Sequence, residues 1–216
     1  MKERKLALVT EAENGLGTKF ASILGNEGFD VILTAKGASY AQLAKMQLKG
    51  INLIEVDLTS AEGLEFLKTH IKNTYGKLDV LINNAEIANG FGQKIDQLKI
   101  EEIKQLYEEN FFAVISTTQI LHPLLLKSKN ASIVNITSAL GQTDKMKDDD
   151  FCYVDYKMIG YSTTKAALEM LTVLLSKEFK DTNIKITNFD PIRLENSTHN
   201  DITLCEGVRQ DFLKLL

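Results

Sequence analysis

The sequence is poor in several features that carry information by their absence. Its 216 residues include two cysteines, Cys152 and Cys205. That is too few for a disulfide framework and points to a reducing compartment. Basic excess is missing: 25 Lys plus Arg stand against 29 Asp plus Glu, a net charge of −4, so no nucleic-acid surface is expected. No apolar run approaches the roughly 18 residues of a membrane helix. The apolar stretch behind the charged start, Leu6 to Val9, is too short for a signal peptide. The three histidines are far apart, and neither cysteine has a nearby histidine or a CxxC partner, so no metal is expected. Internal repeats and linkers rich in Pro, Gly or Ser are also lacking. What is left is an ordinary globular composition, 44% hydrophobic and 25% charged, long enough to bury one substantial core. One domain over residues 1–216 and a cytoplasmic location are the expectations.

Short β-branched or leucine-rich runs alternate with longer amphipathic segments. The runs are Leu6–Val9, Val31–Leu33, Leu53–Val56, Val80–Ile82, Ile133–Ile136 and Ile184–Phe189. Most are almost continuously apolar, as strands covered on both faces should be. Between them, Leu16, Phe20, Ile23 and Leu24 repeat with helical spacing, as do Leu64, Leu67 and Ile71, and Leu168, Leu171 and Leu175. The alternation predicts an α/β fold, a Rossmann-type doubly wound parallel sheet of about six strands. One segment breaks the rhythm. Gly141 to Asp155 carries Asp144, Lys145, Lys147 and the run Asp148-Asp149-Asp150, and reads as an exposed loop, either simply solvated or a lid beside a site.

The first strand leads through Thr10-Glu11-Ala12-Glu13-Asn14-Gly15-Leu16-Gly17 into a helix. Glycines at that junction let a backbone approach a pyrophosphate, while the helix N-terminus offers N–H groups. The same glycines serve equally well in a plain strand–helix turn. The second strand ends Leu33-Thr34-Ala35-Lys36. An acid there would bond a ribose 2′-hydroxyl, whereas a lysine can pair with a 2′-phosphate, which favours NADP over NAD. Glu13 and Asn14 pull the other way, since no basic residue stands in that turn.

Tyr161-Ser-Thr-Thr-Lys165 places a phenol and an ammonium one helical turn apart. An ammonium close to a phenol lowers the tyrosine pKa towards working pH, and such a tyrosine can exchange a proton with a carbonyl oxygen or an alcohol. Tyr153 and Lys157 match the same pattern. Tyr161 is preferred because Ala166, Ala167 and Leu168 continue a helix behind it, whereas Gly160 interrupts anything begun at Tyr153. Ser138 follows the fifth strand, at the end of a parallel sheet where ligands bind. Asn110 shares a helical stripe with Ile103 and Leu106, an amide on an apolar face.

In this order the residues resemble the short-chain dehydrogenase/reductase family, over nearly the whole chain. Asn83-Asn84-Ala85 matches three of the four residues of the family's NNAG motif, and Thr34-Ala35-Lys36 is similar to the Thr-Ala-Arg of its NADP-dependent carbonyl reductases. The resemblance implies strand order 3-2-1-4-5-6. It implies Asn110, Ser138, Tyr161 and Lys165 as the catalytic set, with Tyr161 the general acid, Ser138 polarising the carbonyl, Lys165 holding the nicotinamide ribose and Asn110 seating a water. Dinucleotide contacts are implied for Thr10, Asn14, Gly15, Leu16, Gly17, Lys36, Asp57, Leu58, Asn83, Ala85, Ile136, Tyr161, Lys165, Pro191 and Ile192. The implied activity is reduction of a small carbonyl compound, or oxidation of the alcohol, with NADP first and NAD second. Neither nucleic acid nor a membrane is expected as a partner, and pairing of two copies through the helices holding Asn110 and Tyr161 is the expected mode if the chain is dimeric.

The sequence departs from that pattern at three glycines. Glu11 stands for the first glycine of TGxxxGxG, Glu86 for the glycine of NNAG, and Ile192 for the glycine after Pro191; Asn196 replaces a phosphate-contacting threonine. Two of these add negative charge where an anionic cofactor would lie. Like charges at 4 Å repel by about 4 kcal/mol at an effective dielectric of 20. After Glu195 comes a polar stretch and a predicted helix, Leu204 to Leu216, and the family's seventh strand is expected to be absent. The second functional reading is therefore a family member with little turnover that senses a nucleotide or presents a binding surface.

Overall fold

A computed structural model describes residues 4–10, 15–46, 48–191 and 206–216. Six strands, β1 (Leu6–Thr10), β2 (Asp30–Ala35), β3 (Ile51–Glu55), β4 (Val80–Asn83), β5 (Ala131–Ile136) and β6 (Ile184–Phe189), form one parallel sheet in the order β3-β2-β1-β4-β5-β6. The near-continuous apolar runs follow from two cores, one on each face. Leu6 and Leu8 of β1 point into a core shared with Leu64, Leu67 and Ile71 of α3 (Ala61–Thr74) and Leu121, Leu124 and Leu125 of α5 (Ala113–Leu125). Ala7 and Val9 point to the other core, with Leu16, Phe20 and Leu24 of α1 (Leu16–Asn26), Leu43 of α2 (Gly37–Lys45), and Val208 and Phe212 of α8 (Glu206–Leu213). A strand buried on both faces has no polar alternation to show.

The chain winds outward from β1 in both directions, so the switch point lies between β1 and β4, where doubly wound sheets take their ligands. Hydrogen bonds lace that crevice. The Thr10 hydroxyl accepts from the backbone N–H groups of Asn84 and Ala85, both at 2.9 Å, and the Asn84 side chain donates to the Thr10 carbonyl at 2.9 Å. Beneath it, the Asn83 amide donates to Asn135 at 2.7 Å and Thr118 at 3.3 Å, and Asn135 donates to Thr172 at 2.8 Å. This buried network ties β4 and β5 to α5 and to α7 (Ile159–Glu178).

The stripe carrying Asn110 is not a plain α-helix. α4 (Ile100–Tyr107) runs into α5 through a π-helical turn, Glu108–Phe112. The extra residue rotates Asn110 relative to the spacing that Ile103 and Leu106 suggested, and π turns gather at functional sites. The segment read as an exposed loop begins differently from that reading. Gly141 is buried, and a short helix, α6 (Thr143–Met146), follows. A Cβ on Gly141 would sit 2.8 Å from the backbone of Lys165 and Ala166, so glycine is what lets this loop press on α7. The Asp148–Asp150 run is exposed as expected. The predicted C-terminal helix appears as α8, with Leu204 and Cys205 outside the described residues. Among the described residues no helix is long and apolar enough to cross a membrane.

Candidate active site

The loop after β5 and the start of α7 bring Ser138 and Tyr161 together. Ser138 caps a 3-10 turn, its hydroxyl accepting from Leu140 N–H at 3.2 Å. The Ser138 hydroxyl acts on the Tyr161 phenol, favouring its ionised form. Lys165 follows one turn later, 2% exposed, and its ammonium donates to the Ile136 carbonyl at 2.9 Å. The competing pair fails on backbone grounds. Tyr153 precedes a 3-10 turn and Lys157 adopts a left-handed conformation, φ 43°, so the two share no helical face.

Glu86 stands in the middle of this group. Its carboxylate is ion-paired with Lys165 and accepts a hydrogen bond from the Tyr161 hydroxyl at 3.2 Å. The residue read in the sequence as a charge that repels a cofactor is thus neutralised by the lysine that was to serve the tyrosine. This corrects the expectation for Tyr161. Its pKa is not lowered by Lys165 but held well above the tyrosine range, first by burial and then by the charge and hydrogen bond of Glu86, with Asp190 adding to the effect and Ser138 opposing it. Geometry explains the outcome. The Lys165 ammonium lies over the face of the Tyr161 ring, 5.5 Å from its centroid, and its charge is met by Glu86. Asp190, buried at the end of β6, is a charge near the phenol that no motif had pointed to.

Asn110 is buried and clamps Ile87. Its carbonyl accepts from Ile87 N–H at 2.8 Å, and its amide donates to Ile87 O at 2.8 Å and to Thr164 at 3.3 Å. The side chain therefore fixes the strand-end loop next to Glu86.

At the other end of the crevice, Gly15 caps α1 in the left-handed region, φ 70°, with open space where a Cβ would project. Leu16 is buried against the sheet and Gly17 lies in the first turn. Asn14, Glu11 and Ile192 are outside the described residues. Lys36, at the end of β2, donates to Asp57 at 3.3 Å and to Glu109 at 2.6 Å. Asp57 is held in turn by the backbone and hydroxyl of Thr59, at 2.9 and 2.7 Å. Burial works against the Lys36 charge, but Glu109 and then Asp57 outweigh it and raise its pKa. Glu109, from the π turn, was not singled out in the sequence; a glutamate beside the stripe of Asn110 looks like an ordinary solvated charge. Leu58 is packed in the core, the Asn83 amide is spent on the network beneath the sheet, and Ile136 offers the carbonyl that Lys165 uses. Pro191 follows β6 and Asp190.

Comparison with known proteins identifies the family and the fold. The family model described as short chain dehydrogenase matches residues 5–203. An uncharacterized oxidoreductase of Staphylococcus aureus is 29% identical over 189 residues, covering 87% of this chain and 77% of its own. Another from Staphylococcus saprophyticus is 28% identical over 202 residues, covering 91% and 81%. Among solved structures, a short-chain dehydrogenase from Streptomyces avermitilis superposes with TM-score 0.72 at 28% identity; the match covers 88% of this chain but 66% of that one. An NADPH-bound carbonyl reductase from chicken fatty liver shares the fold, TM-score 0.76 at 24% identity, covering 88% and 79%.

Proposed function

The chain belongs to the short-chain dehydrogenase family and is an oxidoreductase of that family; from that premise we propose that it reduces a small carbonyl compound, with NADP as the preferred dinucleotide and Tyr161 as the proton donor. The observation that carries this reading is the convergence of Tyr161, Ser138 and Lys165 at the carboxyl end of β5, where Lys165 donates to the Ile136 carbonyl, Glu86 engages both the phenol and the ammonium, and Ser138 acts on the phenol.

The residues fit a dinucleotide along most of its length. The open turn at Gly15 and the N-terminus of α1 suit a pyrophosphate, and Lys36 with Asp57 suits an adenosine ribose. A bound nicotinamide would supply the hydride. The chain's own part is to hold the carbonyl and give the proton. Ser138 donates to the carbonyl oxygen and polarises it. Tyr161, kept protonated, transfers its proton to the developing alkoxide. Lys165 steadies the phenolate left behind only where Glu86 no longer takes its charge. To do this, Tyr161 must exchange Glu86 for the carbonyl oxygen as its acceptor. Asn110 acts by holding Ile87, and with it the loop of Glu86.

The second reading, a binding protein with little turnover, is favoured by Glu86, whose carboxylate engages both the phenol and the ammonium. One pair of assays separates the two. NADPH and NADH are titrated by fluorescence, and quinones, aldehydes and α-dicarbonyls are then screened for loss of dinucleotide absorbance. Turnover by the native chain supports the reductase. Dinucleotide binding with no turnover by the native chain, but turnover by Glu86→Gly, supports a masked site. Absence of binding at millimolar concentration removes the oxidoreductase chemistry altogether. Pairing of two copies through α5 and α7 is part of the proposal, since Met170, Val173 and Leu174 are exposed on α7.

A further inference from the structure

We infer that Glu109 is a specificity-determining residue: by engaging Lys36 it withholds the lysine from a ribose 2′-phosphate and narrows the preference for NADPH over NADH. The inference rests on the proposed dinucleotide site and concerns which of the two nucleotides that site takes.

The cluster consists of Lys36, Asp57 and Glu109. Its formal charge is one ammonium against two carboxylates, a net −1. The Lys36–Glu109 contact, 2.6 Å, is the shorter, and Lys36–Asp57 is 3.3 Å. The Glu109 side chain is 21% exposed while those of Lys36 and Asp57 are each 46% exposed, so Glu109 is the more firmly seated acid. Asp57 is also occupied by Thr59, and its place after β3 suits a ribose hydroxyl or adenine edge. Glu109 arrives from elsewhere. The π turn that sets Asn110 onto Ile87 also points the preceding residue back across the crevice to the end of β2.

The position after β2 reads the ribose 2′ substituent in folds of this topology. A hydroxyl there can donate to a carboxylate, so Glu109 and Asp57 are compatible with NADH. A phosphate brings up to two further negative charges and must compete with Glu109 for the one ammonium. Its binding therefore pays for breaking the Lys36–Glu109 pair, a cost that NADH avoids. Glu109 acts through Lys36 and is a positioning residue for selectivity.

Fluorescence titration of NADPH and NADH against the native chain, Glu109→Gln, Lys36→Met and the double variant tests this. Glutamine keeps the size of the side chain and removes its charge. Glu109→Gln should tighten NADPH by about tenfold at low salt and leave NADH within about twofold. In the Lys36→Met background the same change should give less than a quarter of that gain, because the competition for the lysine is gone. Equal tightening of both nucleotides, or none, would overturn the inference. So would a gain that persists in full without Lys36, since Glu109 would then act by its own charge. If neither nucleotide binds any of the four proteins, the dinucleotide reading fails, and the inference with it. Binding with unchanged selectivity fails the inference alone.

Discussion

A carboxylate set between a phenol and an ammonium changes the chemistry of both. Tyr161 and Lys165 alone would form an acid poised to lose its proton. With Glu86 beside them the phenol is held protonated and made a weaker acid, which slows donation to a carbonyl and leaves little phenolate to take a proton from an alcohol. Replacement of Glu86 by Gln should let the phenolate band of Tyr161 appear at lower pH in an alkaline absorbance titration. Replacement by Gly should raise kcat/KM for a carbonyl substrate by about tenfold or more, the worth of one charge-assisted hydrogen bond. It should also destabilise the fold by about 3 kcal/mol, because Lys165 is left buried without its counter-charge. Linkage gives a second check on Tyr161. A pKa raised on folding contributes stability that is full below the unfolded tyrosine value, about 10, and is lost as pH rises through the folded value. Urea unfolding above that pH should therefore show the native chain losing stability more steeply than Tyr161→Phe.

Two elements, the loop after β5 and helix α7, set the distance between Ser138 and Tyr161, and Gly141 is where they meet. A methyl group there collides with the backbone of Lys165 and Ala166 at 2.8 Å, which cannot swing aside as a side chain could. Gly141→Ala should cost about 1–3 kcal/mol by overpacking and lower kcat more than it raises KM, measurable by thermal unfolding and steady-state kinetics. The π turn is a second such device, and it carries Asn110, whose side chain bonds both backbone groups of Ile87. Neither device was legible in the sequence. Periodicity told helix from strand at α1 and α3, where each apolar stripe met one core, and at α7, where Leu168 is buried and Leu175 packs against the core of α3 and α5. It could not register a single inserted residue at Glu108–Phe112, nor show that Gly141 faces Lys165, 24 positions later on α7.

The sheet order follows from the alternation of runs and stripes, and the crevice at the end of β1 and β4 follows from the order. To that extent the placement of Gly15, Lys36, Ser138 and Tyr161 at one edge could be read from residues alone. What could not be read is charge pairing across the crevice. Glu86 and Lys165 are 79 positions apart, Lys36 and Glu109 are 73 apart, and no local pattern links either pair. Yet these two pairs decide what the site can do, one at the phenol and one at the ribose. At the scale of the molecule the chain is a family scaffold in which two acids, Glu86 and Glu109, have engaged the two lysines of the site.

The most direct measurement is a single-turnover reaction of the native chain and Tyr161→Phe, each first saturated with NADPH as judged by fluorescence, then mixed with a carbonyl substrate found in the screen. If Tyr161 is the proton donor, dinucleotide affinity is equal and the rate of dinucleotide oxidation is lower in the variant by about 10² to 10⁴. A variant that oxidises the dinucleotide as fast as the native chain would contradict that role.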